Sequence, residues 1–307
     1  MKQLSAHITD ACNSKCSFCV VGSPLIRHDT VNYEDLIAFL TENASKGYGS
    51  VNLHGGEPTI HPRLFDLLTV IATLGYPEVQ IQTNGRRMKD LNFTERLARH
   101  GVRVAVISLH GATPGTQDSL AQAPGGFEET LEGIRNAKRA GLWVRTNTVV
   151  TIQNLGELDA IFQLLQDLHV DHVNISYLHP VGSGFFAFDT LIPSVAQIRA
   201  GLLPAIERLA SKGVPLSLEG FPFCVITPYE RLAIEYEKRE IRMFYQRHVF
   251  DNYDYFMDTS CRTQGPPCQD CRYRTICGGV YKEYIDQRGW SEFTGVPHHE
   301  PEIVGLV

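Results

Sequence analysis

The sequence predicts an α/β protein built on a parallel sheet, and two patterns predict it. Short β-branched runs alternate with helical segments through the first two thirds of the chain, and several helical segments stop at a glycine suited to a left-handed C-cap. A third observation is size: 307 residues bury a large core, enough for one large α/β domain or one domain with a small appendage.

The strands read, in order, as LSAHIT (4 to 9), SVNLHG (50 to 55), EVQIQTNG (78 to 85), RVAVISLHG (103 to 111), WVRTNTVVT (143 to 151) and HVNISYLHP (172 to 180). Between them lie NYEDLIAFLTENASKG, RLFDLLTVIATLG, TERLARHG, FEETLEGIRNAKRAG and LDAIFQLLQDL, and the series closes with SVAQIRAGLLPAIERLASKG at Gly213. Polar residues stand where these strands end, as at His54, Thr83, Asn84, Ser108 and Asn147, and the C-terminal ends of parallel strands are where α/β sheets keep their sites. His110, His179, Tyr177 and Arg145 are further polar candidates to face a cavity.

A composition 43% hydrophobic and 20% charged is that of an ordinary folded chain, so disorder is expected only at the two ends. A net charge of -6 argues against a sequence-independent nucleic-acid surface, and no DNA partner is expected. The start MKQLSAHITDACN lacks a signal-peptide core, and no run approaches the ~18 apolar residues of a membrane span, so the expected location is the cytoplasm. In a reducing compartment, eight cysteines grouped as three near the start and five after residue 220 read as metal ligands or redox groups rather than disulfides.

The first group, Cys12, Cys16 and Cys19, occupies the loop ITDACNSKCSFCVVG. Disulfides pair evenly and a structural zinc closes with four ligands, so three thiols leave a metal centre with an open position. In HGGEPT, Gly55 and Gly56 let backbone approach a ligand, and Glu57 supplies a carboxylate able to hold an ammonium group. The spacing Cys-x3-Cys-x2-Cys after a first strand, with Phe18 before the last cysteine and GGEP after the second strand, resembles the radical S-adenosylmethionine (SAM) enzymes.

That resemblance covers roughly residues 4 to 223 and implies a partial (β/α)6 barrel. It implies that Cys12, Cys16 and Cys19 hold a 4Fe-4S cluster whose fourth iron is chelated by SAM. Gly55, Gly56 and Glu57 then match the segment receiving the methionine amine, and Thr83, Asn84 and Gly85 a third-strand segment near the cofactor. Phe18, Ser108 and Asn147 are expected beside the cofactor as well. It further implies reductive cleavage of SAM to a 5'-deoxyadenosyl radical, hydrogen abstraction from substrate, and a one-electron donor such as flavodoxin or ferredoxin as partner.

The second cysteine group is Cys224 in FPFCVI, then Cys261, Cys268, Cys271 and Cys277 in CRTQGPPCQDCRYRTICGG. A structural zinc knuckle is one reading of this array. The tail also resembles the shortened SPASM, or Twitch, extensions of radical SAM enzymes, departing from the full pattern of about seven cysteines; that implies one auxiliary 4Fe-4S cluster. Cys224, Cys268, Cys271 and Cys277 are the expected ligands, and Cys261 is left as a spare, a fourth ligand or a catalytic thiol, with Tyr177 the other catalytic candidate. The expected division is a barrel over 1–213 and a cluster-bearing region over 214–307. RLAIEYEKREIRMFYQRHVFDNYDYF is read as a charged helix followed by an aromatic-rich loop that packs around the cluster.

The layout also resembles the molybdenum-cofactor cyclase. Peptide maturases often carry a recognition domain before the cysteine loop, which here begins at residue 12, so a small molecule or nucleotide is the favoured substrate over a peptide recognised through a separate protein. An iron-sulfur electron carrier and a glycyl-radical activating enzyme are the alternatives from other classes.

Overall fold

The computed structural model describes residues 2–22 and 30–298. Among these residues nine strands form one sheet, in the order β7-β6-β5-β4-β3-β2-β1-β8-β9. Strands β1 (Lys2–His7), β2 (Ser50–His54), β3 (Glu78–Thr83), β4 (Val102–Ser108), β5 (Trp143–Val150), β6 (His172–Tyr177) and β7 (Leu216–Glu219) follow one another in sequence and pair in parallel. Helices α1 (Tyr33–Asn43), α2 (Leu64–Leu74), α3 (Leu91–Arg99), α4 (Pro114–Ala121), α5 (Gly126–Arg139) and α6 (Leu158–Asp167) connect them. The α/β partial barrel expected from the sequence is thereby present.

Local chemistry accounts for the helix ends. Asn32 caps α1 by accepting from the Asp35 N–H at 3.0 Å, Asp90 caps α3 through Phe93, and α2 stops at Gly75, whose φ of 75° suits a residue without Cβ. The last long helix, Val195–Ser211, opens with a capping box between Ser194 and Gln197.

Strand register separates two faces. One carries Leu4, Ala6, Val51, Leu53, Ile81, Ala105, Ile107, Val144, Val173, Ile175 and Leu218, all without solvent exposure and packed under the helices. The opposite face carries rows of mostly polar side chains: Ser5, Asn52 and Gln80 in one row; Arg145 and His172, beside the apolar Val106, higher up; then Ser108, Asn147, Asn174 and Ser217; and Ser176 with Glu219 at the top. Alternation with period two puts one set on each face, so the apolar set builds the core and the polar set lines the barrel interior.

The reading of residues 231–256 needs correction. Instead of a charged helix, Glu240–Tyr245 forms β8, parallel to β1, and His248–Phe250 forms β9, antiparallel to β8. The cause is the otherwise open edge of β1: Ile241, Met243 and Phe244 bury there, and backbone groups of β1 gain partners. Helix α4 was also not singled out in the sequence. Among the described residues no helix is long and apolar enough to cross a membrane.

Candidate active site

The cysteine loop leaves the C-terminal end of β1 and is fastened by backbone bonds to two neighbours. Lys15 and Ser17 N–H groups donate to the carbonyls of Ala121 and Leu120 at the end of α4, each at 3.0 Å. Gly56 and Glu57 N–H groups donate to the carbonyls of Thr9 and Ala11, each at 2.7 Å. A Cβ on Gly56 would lie 2.3 Å from Ala11 O, and one on Gly55 2.3 Å from Thr9 O, so these glycines are required by the close approach of the cysteine loop itself.

Glu57 has no solvent exposure; its carboxylate ties the segment after β2 to the segment after β3, while its backbone N–H holds the cysteine loop. Oε1 accepts from Thr59 N at 3.0 Å, Thr59 Oγ1 at 2.5 Å and Thr83 Oγ1 at 2.6 Å; Oε2 accepts from Asn84 N at 2.7 Å. Burial pushes its carboxyl upward while these four donors pull it back. Asn84 Nδ2 in turn donates to Asn13 Oδ1 at 2.7 Å, and Arg86, braced by Glu129 at 2.6 Å, donates to the Asn13 carbonyl at 2.5 Å. Glu57 thus acts first as the fastening of the β1, β2 and β3 loops, a role beyond the one its sequence motif suggested.

Cys12, Cys16 and Cys19 are free thiols close enough to act on one another electrostatically. Burial, aided by the neighbouring thiols, pushes Cys12 up to about 11 and Cys16 up to about 12, and Glu57 adds to both. Such thiols stay protonated unless a cation draws them into the thiolate form, which suits a metal-ligating set. Phe18 is buried beside them, edge-on to His110 at 4.7 Å. Burial holds His110 down to about 4, so its ring is neutral and accepts from Val149 N at 3.1 Å through Nδ1.

The other expected residues divide between loop and barrel. Thr83 and Asn84 meet Glu57 as described, whereas Ser108 and Asn147 lie side by side on the inner face. Asn147 Oδ1 accepts from Asn174 Nδ2 at 2.8 Å and Ser176 Oγ at 2.7 Å, and Asn174 and Ser176 also donate to Glu219 Oε2, at 2.9 and 3.4 Å. Asn174, Ser176 and Glu219 were missed in the sequence; the polar half of the alternation in HVNISY and PLSLEG is the signal that finds them. Tyr177 points away from this interior row and is buried against Phe221, Tyr281 and Tyr284.

In the C-terminal region Cys224, Cys268, Cys271 and Cys277 line one pocket, walled by Phe223, Tyr273, Trp290 and Phe293. Burial, aided by the other three thiols, pushes Cys224 up to about 12. Cys261 is outside that pocket, next to Glu283, Arg262 and Lys282. Among the described residues no three His, Cys, Asp or Glu side chains converge closely enough for a single metal ion. The four half-buried sulfurs facing one pocket are a donor set that fits a structural zinc or a polynuclear iron-sulfur cluster.

A parallel partial barrel with a three-thiol loop over its C-terminal strand ends defines an α/β protein whose site residues gather at the barrel mouth. The model of the Radical SAM superfamily matches residues 7–165. The chain belongs to the radical SAM superfamily.

Among curated relatives, it is 33% identical over 189 residues to a probable GTP 3',8-cyclase of Saccharolobus solfataricus, covering 61% of this chain and 60% of that one. A probable GTP 3',8-cyclase of Sulfurisphaera tokodaii is 28% identical over 190 residues, with 62% and 60% covered. The matches thus span about 60% of these relatives' length. Among solved structures, Streptococcus suis SuiB bound to the precursor peptide SuiA superposes with a TM-score of 0.68 at 17% identity, over 95% of this chain and 74% of that one. The anSMEcpe structure with bound AdoMet and the Kp18Cys peptide gives 0.70 at 13% identity, over 96% and 93%. These last two likenesses are likenesses of fold.

Proposed function

We propose that this protein is a radical SAM enzyme that initiates hydrogen abstraction from a polar substrate held on the inner face of the barrel, with one further iron-sulfur cluster in a SPASM- or Twitch-like C-terminal region. The observation that carries the reading is the placement of Cys12, Cys16 and Cys19, within electrostatic reach of one another, on the single loop fastened by Gly56, Glu57 and Asn84. When bound, a 4Fe-4S cluster and SAM supply a one-electron reduction that releases a 5'-deoxyadenosyl radical.

The chain's own residues do the rest. Cys12, Cys16 and Cys19 are the ligands, and Glu57 Oε2, which accepts from Asn84 N alone, keeps a second lone pair able to accept from an ammonium group. Phe18, Ser108 and Asn147 border the cofactor from the loop and from the inner face. Residues 1–213 form the barrel, and 214–307 carry the auxiliary cluster on Cys224, Cys268, Cys271 and Cys277 while lending β7, β8 and β9 to the sheet. The buried polar face excludes bulk water from a radical and holds a substrate by hydrogen bonds. Relatives named GTP 3',8-cyclase match 61% of the chain; the substrate class is a small molecule, nucleotide or peptide, and the partner a one-electron donor such as flavodoxin or ferredoxin.

The test is anaerobic reconstitution with iron and sulfide counting, then reduction in the presence of SAM and mass-spectrometric detection of 5'-deoxyadenosine. About eight irons per chain, as two four-iron clusters require, with cleavage lost in Cys16→Ala, supports the reading. Absence of cleavage under every reductant overturns it.

A further inference from the structure

Apart from Glu78 at the strand entry, strands β1 to β7 bring one arginine, Arg145, and one glutamate, Glu219, to the polar inner face. Among the described residues Arg145 Nε is buried without a hydrogen-bond partner, as are His54 Nε2 and Asn52 Oδ1 on the same face. Glu219 acts on Arg145 through space, with no hydrogen bond between them. Its Oε2 is held by Asn174 and Ser176, and Oε1 has none of these bonds. Arg239, the other cation acting on Arg145, is already paired with Asp254 at 3.1 Å.

A buried guanidinium with no anion is costly, and five N–H donors fixed in a fork suit a carboxylate. A carboxylate with a free oxygen on the same wall suits an ammonium group. The strands bring one charge of each sign, and the neighbouring charges of the C-terminal region are already paired, Glu235 with Arg262 at 3.2 Å and Arg239 with Asp254, so the wall is the complement of a zwitterion and a poor match for a polyphosphate, which needs several unpaired cations. We infer that the barrel takes an α-amino acid or a short peptide, its carboxylate on Arg145 and its amine on Glu219.

This rests on the radical SAM reading for the identity of the chamber, but its test reads binding alone and stands apart from SAM cleavage. Reconstituted protein is titrated calorimetrically, without reductant, with the twenty common L-amino acids, a set of tripeptides, their N-acetyl and C-amide derivatives, and GTP. The expected result is that at least one uncapped amino acid or tripeptide binds, that capping either end weakens it tenfold or more, and that free amino acids against tripeptides show which source of the zwitterion fits. Arg145→Met is expected to weaken the free acid tenfold or more while leaving the C-amide within twofold, and Glu219→Gln to do the same for the amine and its N-acetyl form.

Arg145→Met also separates a binding role from a structural one: removal of an unpaired buried charge leaves the melting temperature unchanged or raised. A fall in melting temperature with Arg145→Met, binding of GTP with every zwitterion inert, or no zwitterion binding at millimolar concentration would each overturn the proposal.

Discussion

Replacing Glu57 by glutamine keeps the shape of the side chain and removes its ability to accept at both ends. Oε1 can go on accepting from Thr59 N, Thr59 Oγ1 and Thr83 Oγ1, but the new NH2 then faces the Asn84 N–H across the 2.7 Å now spanned by a hydrogen bond. Stranding that buried N–H costs roughly 1–3 kcal/mol, and the three surviving bonds each weaken by about 1 kcal/mol on losing the charge. Relief from burying a carboxylate offsets part of this, so the net loss is about 2–3 kcal/mol. For a chain of this size that lowers Tm by roughly 3–5 °C, measured by circular dichroism on the metal-free protein so that cofactor binding does not enter. Thr83→Val, which removes the donor to Glu57 and the acceptor for Gly85 N at 3.0 Å, should lower it too. An unchanged Tm in Glu57→Gln would refute the assignment of this carboxylate as the fastening of the three loops.

Gly56→Ala places a methyl 2.3 Å from Ala11 O and 2.5 Å from Asp10 O, so the cysteine loop must move; a stability loss of about 1–3 kcal/mol and loss of about four irons per chain on reconstitution are expected, read by chemical denaturation and iron assay. Cys224→Ala and Cys277→Ala should remove about four irons while Cys261→Ala removes none, since Cys261 stands outside the four-thiol pocket; equal iron in all three would return the array to a structural role. His110 is held at about 4 by burial against an unfolded value of ~6.5, so its contribution is full above pH 6.5 and is lost as pH falls toward 4. That amounts to roughly 3 kcal/mol over the window, and the slope of stability against pH there should fall by about one proton in His110→Gln.

The parallel sheet was legible because its signal is local: LSAHIT, VRVAVIS and HVNISY each alternate, and each of the six is followed by a helix. EIRMFY was not legible as β8, because its strand character depends on the edge of β1, whose register partners Lys2 and Glu240 are 238 residues apart in sequence, and which is open until β8 arrives. The cysteine triplet could be found by spacing, whereas the hold of α4 on it comes from the Ala121 and Leu120 carbonyls, backbone groups that carry no sequence signature. GGEP was visible as a motif but its two glycines looked like ligand contacts; only the approach of Thr9 and Ala11 shows that they admit the neighbouring loop. Arg145 and Glu219 are ordinary letters in their strands, and the unpartnered Nε of one and the half-used carboxylate of the other are properties of the assembled face.

The same geometry explains why relatedness is strong for one half of the chain and silent on substrate. The fastening built from Glu57, Thr83, Asn84 and Arg86 joins β1, β2 and β3, which lie within the family match at residues 7–165. A change there disturbs the thiol loop directly, so little freedom is left. Asn174, Ser176 and Glu219 lie on β6 and β7, beyond that match, and their side-chain hydrogen bonds run among β5, β6 and β7. On the proposed reading, substitutions on those strands alter which hydrogen bonds a substrate can make while the fastening of the cysteines stays intact. A barrel arranged this way can keep one way of starting a reaction and exchange the molecule it acts on, so similarity to a GTP 3',8-cyclase over 61% of the chain carries the initiating chemistry much further than it carries GTP.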